Sequence, residues 1–382
     1  MCNKFGILLI IVSSFSFDTL INNDNLITLW QNQLKMGISS INKLRVAFER
    51  AGIKKPAKFY RELAKVTKSY PIFISPSIFK QCLKSKSIYR QFIPDEKELI
   101  NFRGENDPLK EDNKKATDKL IHMYPDRALL LATDMCFSSC RFCTRKRIKK
   151  LCERITLKQL DDACKYIAKN KQIKDVIISG GDPLTIEDSC LKTILERIKK
   201  IKSVKVIRIG TRAPVSCPDR ITDRLVKLLK KFNPLYINVH LNHPDEFTPA
   251  TVKALRKLSD AGIILGSQSV LLKGVNDNNK IIKELLYKCI ETGVRPYYLY
   301  QCDEVLGTEH FWTEYQEMFK IADNLIGNIS GLATPSFVFD CKGGQGKVRV
   351  IPEFYKSKKE KSITLKTFKN KLYTYNNLSK KK

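Results

Sequence analysis

Ala128-Leu129-Leu130-Leu131-Ala132-Thr133 leads directly into Asp134-Met135-Cys136-Phe137-Ser138-Ser139-Cys140-Arg141-Phe142-Cys143. A short apolar run with the character of a buried strand thus ends in three cysteines spaced C-x3-C-x2-C. Five more runs of the same kind follow: Asp175–Ser179, Val204–Ile209, Leu235–His240, Ile263–Ser267 and Arg295–Tyr300. Each is rich in Val, Ile, Leu or Tyr and is bounded by Gly, Pro or Asn. Amphipathic helical segments lie between them. One begins at the N-cap residue Thr156 and repeats Leu157, Leu160, Cys164 and Ile167. Another begins Thr248-Pro249, and a third carries Ile281, Leu285, Cys289 and Ile290.

Strands that alternate with helices predict an α/β fold with a parallel sheet and right-handed crossovers. Six such rounds in the sequence suit a partial, partly open (β/α)6 barrel. A closed barrel needs eight. The polar motifs fall just after the strands: the cysteines, then Ser179-Gly180-Gly181-Asp182, Thr211-Arg212, His240, Gln268 and Asp303. In α/β folds the loops at the C-terminal strand ends converge on the active site, so this ordering points to an enzyme.

Around that core, residues 1–24 form an apolar N-terminal extension and 25–115 a helical, polar region. Its first helix is expected through Trp30, Leu34, Ile38 and Leu44, and Asp107-Pro108-Leu109 to Asn113 reads as a charged linker. Residues 116–350 hold the core. Residues 351–382 are a lysine-rich tail, read as a solvated extension in which Leu365, Phe368 and Leu372 can dock one short helix. The apolar run Phe5 to Phe17 resembles a signal-peptide core. It is shorter than the roughly 20 apolar residues of a membrane span, and no small-residue cleavage site follows it.

The chain has 382 residues, 43% of them apolar, enough for a sizeable core. Its 69 basic and 39 acidic residues give a charge of +30. Such a charge suggests nucleic acid or an anionic surface. The lysines, however, are dispersed through helices beside abundant Ile and Asn, a bias of the whole sequence rather than a binding stripe, and neither nucleic acid nor membrane is expected as a partner. Of the 12 cysteines, three crowd into the stretch from Cys136 to Cys143 and the rest stand singly, which favours reduced thiols and a cytoplasmic setting. Cys2, Cys82, Cys152, Cys164, Cys190, Cys217, Cys289 and Cys302 read as small buried or incidental residues.

Three thiolates in one loop do not complete a four-cysteine zinc or iron–sulfur site. They can hold three irons of a [4Fe–4S] cluster and leave the fourth open to a substrate-like ligand. Structural cysteines, or a zinc site completed from elsewhere, are the other readings; the position directly after the first core strand counts against both.

The triad, together with Ser179-Gly180-Gly181-Asp182-Pro183, resembles the radical S-adenosylmethionine (SAM) superfamily. Further motifs are similar to the lysine 2,3-aminomutase family within it: Tyr124-Pro125-Asp126-Arg127, Cys143-Thr144-Arg145-Lys146-Arg147, Arg208-Ile209-Gly210-Thr211-Arg212, Asn242-His243-Pro244, Gln268-Ser269-Val270-Leu271-Leu272, Tyr297 to Asp303, and Gly343-Gly344-Gln345-Gly346-Lys347. The similarity runs from about residue 28 to 355 in unchanged order.

The resemblance implies a radical SAM-type partial barrel and a PLP- and SAM-dependent radical isomerase, with migration of an amino group from Cα to Cβ of L-lysine. By it, Cys136, Cys140 and Cys143 ligate the cluster, and Ser179, Gly180, Gly181, Asp182 and Gln268 bind cofactor. Lys347 carries pyridoxal 5′-phosphate, to which a lysine in a glycine-rich turn can come close. Arg127 and Arg212 are implied for the cofactor phosphate, since guanidinium forks match phosphate oxygens. Arg145 matches the position that pairs with the substrate carboxylate, and Asp303 with Asp340 match the carboxylates that receive the ε-ammonium. Two converging acids repel unless a cation joins them, which favours a lysine substrate.

A flavodoxin- or ferredoxin-type reductant and a homo-oligomer are also implied. The loop holding Lys342 and Gln345 departs from the family's usual Pro- and Gly-rich pattern, and the C-terminal cysteine cluster that some members use for zinc is absent beyond Cys341. Two alternatives remain: supply of β-lysine for modification of translation elongation factor P, and a basic RNA-binding iron–sulfur protein.

Overall fold

In the computed structural model, residues 29–148, 153–350, 355–359 and 362–376 are described. The apolar run of residues 5–17 lies outside them. Ten strands form one sheet in sequence order: β1 (Lys115–Thr117), β2 (Leu120–Tyr124), β3 (Arg127–Thr133), β4 (Asp175–Gly180), β5 (Val206–Thr211), β6 (Tyr236–His240), β7 (Ile264–Leu271), β8 (Val294–Gln301), β9 (Ser336–Cys341) and β10 (Gly346–Val350). β3 to β9 pair in parallel, while β1, β2 and β10 add antiparallel margins. The partial-barrel expectation is borne out, with one addition: a seventh parallel strand, β9, followed by the β9–β10 hairpin. Its sequence, Ser336-Phe-Val-Phe-Asp-Cys341, runs straight into the glycine-rich turn, so strand and turn merge in the sequence.

Helices over Leu157–Lys169, Asp188–Lys199, Asp223–Lys230, Pro249–Asp260, Asn279–Glu291 and Tyr315–Leu325 connect successive parallel strands. Their starts follow from local chemistry. The Thr156 side chain accepts from Gln159 N while Gln159 returns a bond to Thr156 N, a reciprocal capping box. Thr248 caps a helix whose first residue is Pro249, and the Asn278 side chain caps the next. Ile178 of β4, Ile209 of β5 and Ile237 of β6 are fully buried with helix residues Ile167, Leu191 and Leu229 in the main core. Deleting such a side chain, as in Ile178→Ala, costs about 2–5 kcal/mol.

Three expectations are corrected. The first helix is two, Leu29–Lys35 and Ile41–Arg50, because Ile38 leaves the helical path to bridge Ile74 and Ser40 caps a new start. Among its described residues the tail forms no helix but a three-stranded antiparallel sheet, Tyr355–Lys359, Ser362–Lys366 and Leu372–Asn376, the last with the strand-favouring run Tyr373-Thr374-Tyr375. The charged segment 107–113 is no mere linker, since it enters the site.

The N-terminal helices cradle the cysteine loop. Ser139 N donates to Phe73 O (2.7 Å), Arg141 N to Gln91 O (2.8 Å), and Phe137 packs edge-on against Trp30. Arg141, 2% exposed, is bound by Glu98 at 2.6 Å, and Lys146 reaches the same fully buried carboxylate at 2.6 Å. Burial disfavours the Glu98 charge, yet Arg141 and Lys146 outweigh it and hold the carboxyl below its ordinary range. Burial pushes the Lys146 amine down to about 8.

Candidate active site

The cysteine loop leaves β3 and meets the turn that leaves β4. Gly181 N donates to Thr133 O (2.6 Å) and Asp182 N to Met135 O (2.7 Å). The approach requires glycine: a Cβ on Gly180 would lie 2.3 Å from Thr133 O, and one on Gly181 2.1 Å from Met135 O. The N–H groups of Gly181 and Asp182 therefore clamp the cysteine loop. Asp182 is 4% exposed and its carboxylate accepts from Leu184 N, Thr211 Oγ1 and Arg212 N at 3.0, 2.7 and 2.8 Å. Those bonds make it the brace of the turn. Cys136, Cys140 and Cys143 are in no disulfide and line one cavity of about 970 Å³.

Lys347 comes from β10. The turn before it needs left-handed backbone at Gly343 and Gly344, with φ of +74° and +70°, and a Cβ on Gly344 would meet Leu109 O at 2.8 Å. The hairpin register then sets Lys347 directly opposite Asp340, and Lys347 Nζ reaches Asp340 Oδ2 at 2.6 Å. Burial opposes the lysine's charge, but Asp340 outweighs it and holds the ammonium above the usual lysine range. Asp303, on the loop after β8, faces the same point; burial first, and then the nearby Asp340, push its carboxyl up to about 7. Asp340 Oδ1 is buried without a hydrogen-bond partner among protein groups. Lys347, Asp303 and Asp340 line a second cavity, of about 370 Å³, with Tyr124, Tyr297, Tyr298 and Tyr300.

Arg145, two positions past Cys143, lines both cavities. Its Nε and Nη2 donate to Glu111 at 2.9 and 2.6 Å. Arg127 lines the Lys347 cavity beside Arg208, each with a carboxylate partner: Asp126 for Arg127 (2.9 Å), Asp175 for Arg208 (3.0 and 2.6 Å). Arg212 does not line that cavity. Its guanidinium donates to Cys140 Sγ (2.9 Å), Gln91 Oε1 (2.7 Å) and Glu246 Oε1 (2.9 Å), and it stacks over Phe92 at 4.5 Å. Pairing of Arg212 with the pyridoxal phosphate is therefore set aside; it is a neighbour of the cysteine loop.

Ser179, Gln268 and His240 stand where the cavities meet, Gln268 donating to Tyr300 Oη at 3.3 Å. His240 stacks on Phe142 (5.5 Å), and burial and then Arg212 hold it well below the usual histidine range, hence neutral. Sequence reasoning assigned no role to Glu111, Arg208 or Tyr124. An arginine within the apolar run Val206-Ile-Arg-Ile209 was the one signal available for Arg208.

The residues present fit the implied groups. Among the described residues no three His, Cys, Asp or Glu side chains gather about a single metal-ion position. The cysteine loop brings three thiolates to one cavity and suits a cluster in which each thiolate takes its own iron. The larger cavity beside it suits a SAM-sized molecule. The smaller joins a lysine, arginines and tyrosines, a donor set that suits an anionic aromatic aldehyde.

A parallel α/β sheet with a three-cysteine loop after its first parallel strand is the arrangement of a radical SAM enzyme, and residues 130–286 match the family model described as Radical SAM superfamily. Residues 322–381 match the model described as Lysine-2,3-aminomutase. L-lysine 2,3-aminomutase of Clostridium subterminale is 38% identical over 353 residues, covering 91% of this chain and 83% of the relative. That of Methanococcus maripaludis is 42% identical, covering 85% and 76%. Glutamate 2,3-aminomutase of Clostridioides difficile is 36% identical, covering 73% and 67%. The chain belongs to the lysine 2,3-aminomutase family. The superfamily implies a [4Fe–4S] cluster and SAM, and the family is one of isomerases that move an amino group.

Proposed function

We propose that the chain converts L-lysine to β-lysine with a [4Fe–4S] cluster on Cys136, Cys140 and Cys143, SAM in the larger cavity, and pyridoxal 5′-phosphate on Lys347. The carrying observation is the pair Asp303 and Asp340: the Lys347 ammonium binds Asp340 and acts on the charge of Asp303, while Asp340 Oδ1 has no protein partner. A buried acceptor left unpaired costs about 1–3 kcal/mol, so this place favours a second N–H donor. A substrate ending in a carboxylate, as in the glutamate-using relative, would meet repulsion there.

When bound, the cofactors would supply a carbon radical able to remove hydrogen and a conjugated system through which the substrate's own α-nitrogen can migrate. The protein's own residues orient and shield. Arg145 takes the α-carboxylate, and Asp303 and Asp340 take the ε-ammonium, fixing the chain between them. Arg127, beside Arg208, receives the cofactor phosphate. Gln268 and Ser179 stand between the cofactors, and neutral His240 offers a buried Nε2 that no protein group satisfies.

In the same proposal residues 25–115 serve as the cradle of the cysteine loop, 116–350 as the catalytic core and 351–382 as an accessory tail. Among the described residues no helix is long and apolar enough to cross a membrane. A cytoplasmic homo-oligomer reduced by a flavodoxin- or ferredoxin-type protein completes the reading. The paired aspartates favour the free-lysine mutase over a role in elongation factor P modification. Chiral chromatography of the product from anaerobically reconstituted protein tests this: β-lysine supports the assignment, and turnover of glutamate but not lysine rejects it.

A further inference from the structure

We infer that Glu111 is the positioning residue for substrate-carboxylate binding, gripping one edge of Arg145 so that the other edge faces the substrate. The inference rests on the proposed role of Arg145. A guanidinium has five N–H donors. Glu111 Oε2 accepts from Nε at 2.9 Å and Oε1 from Nη2 at 2.6 Å, while Nη1 donates to Gly180 O at 3.3 Å. Two donors remain, one on each terminal nitrogen, the pair that forks a carboxylate. The Arg145 side chain is 16% exposed and Glu111 10%, so the grip is sheltered while Arg145 still lines both cavities.

Glu111 is itself held. Arg147 approaches it at 3.7 Å and also reaches Asp107 at 3.2 Å and Asp112 at 3.4 Å. Its segment is tied to the turn before Lys347, where Gly343 N donates to Pro108 O at 2.7 Å. Gly180 O, the other partner of Arg145, belongs to the turn clamping the cysteine loop. The segment thus fixes Arg145 relative to both the pyridoxal lysine and the cysteines. Without the Glu111 charge, Arg145 and Arg147 repel each other and Arg145 can swing away. A ligand lacking the carboxylate does not use Arg145 and is indifferent to that motion.

The test compares two dissociation constants on the same pyridoxal-loaded protein by calorimetry without SAM: one for L-lysine, one for 1,5-diaminopentane, which is lysine without its carboxylate. Glu111→Gln is expected to weaken lysine about 10- to 100-fold and leave the diamine within about twofold. The ratio is unaffected by partial loss of folded protein. Should that variant not yield loaded protein, Glu111→Ala, which likewise removes the charge and the grip, is read the same way. Unchanged lysine affinity, or equal weakening of both ligands, overturns the inference. Arg145→Gln is the control for the underlying reading: if it too weakens both ligands equally, Arg145 is not the carboxylate site and the functional assignment fails, whatever Glu111 does.

Discussion

Lys347 stands directly across the β9–β10 ladder from Asp340, with Nζ 2.6 Å from Asp340 Oδ2. The lysine expected to carry one cofactor thus holds the acid expected to receive the substrate amine. Were pyridoxal phosphate held on Lys347, its nitrogen would no longer offer Asp340 a free ammonium, and Asp340 and Asp303 would call for another cation. The substrate's ε-ammonium then restores the balance, so loading of the cofactor should precede and strengthen lysine binding. Asp340→Asn is expected to raise the KM for lysine about 10- to 100-fold, the worth of a charged hydrogen bond. Steady-state kinetics on loaded protein check it.

The second prediction concerns pH. Asp303 is pushed up to about 7, and lysine binding needs it ionised. Below that value a proton must leave as lysine enters, so affinity improves as pH rises through neutrality, by up to about tenfold per unit on the acid side. Calorimetry from pH 6 to 8, in buffers of differing ionisation enthalpy, should show proton release that Asp303→Asn removes. A flat profile in the unmodified protein would contradict the assignment.

Glu98 lines neither cavity, yet it binds both Arg141 and Lys146 beneath the cysteine loop. Removing one partner of a buried charge cluster leaves the others uncompensated, at about 3–5 kcal/mol. Glu98→Ala should lower stability by that amount in denaturant titration and reduce iron retained after reconstitution. Unaltered stability would mean the cluster of charges contributes little to holding the loop.

Arg212 separates the sequence expectation from the structure. Its Nη1 donates to Cys140 Sγ, and donors to cluster sulfurs raise reduction potential. Arg212→Lys should therefore keep the pyridoxal absorbance and shift the midpoint potential of the cluster to more negative values. Loss of pyridoxal with an unchanged cluster would return Arg212 to the phosphate.

The six strand–helix rounds were legible because buried parallel strands are short apolar runs and the helices begin at Thr156 and Thr248 with capping chemistry. β9 was not, since its sequence merges with the turn that carries Lys347. Cys136, Cys140 and Cys143 were legible from spacing alone. Arg145, Asp303 and Asp340 needed the resemblance, because a lone charged residue at a strand end has no local signature. Glu111 was hidden by its neighbours: within Lys110-Glu111-Asp112-Asn113-Lys114 it looks like one more solvated charge, and only the tertiary fold buries it against Arg145. Arg127 and Arg212 look alike in sequence, each at a strand margin, and the fold sends them to different cavities.

The most direct measurement is anaerobic incubation of the reconstituted protein with L-lysine, SAM, pyridoxal 5′-phosphate and a strong reductant, with products resolved by chiral chromatography. The account predicts β-lysine, formed only when SAM is present and abolished by Lys347→Ala or by loss of any of Cys136, Cys140 and Cys143. Protein that holds its iron and its pyridoxal in full yet returns lysine unchanged would contradict it.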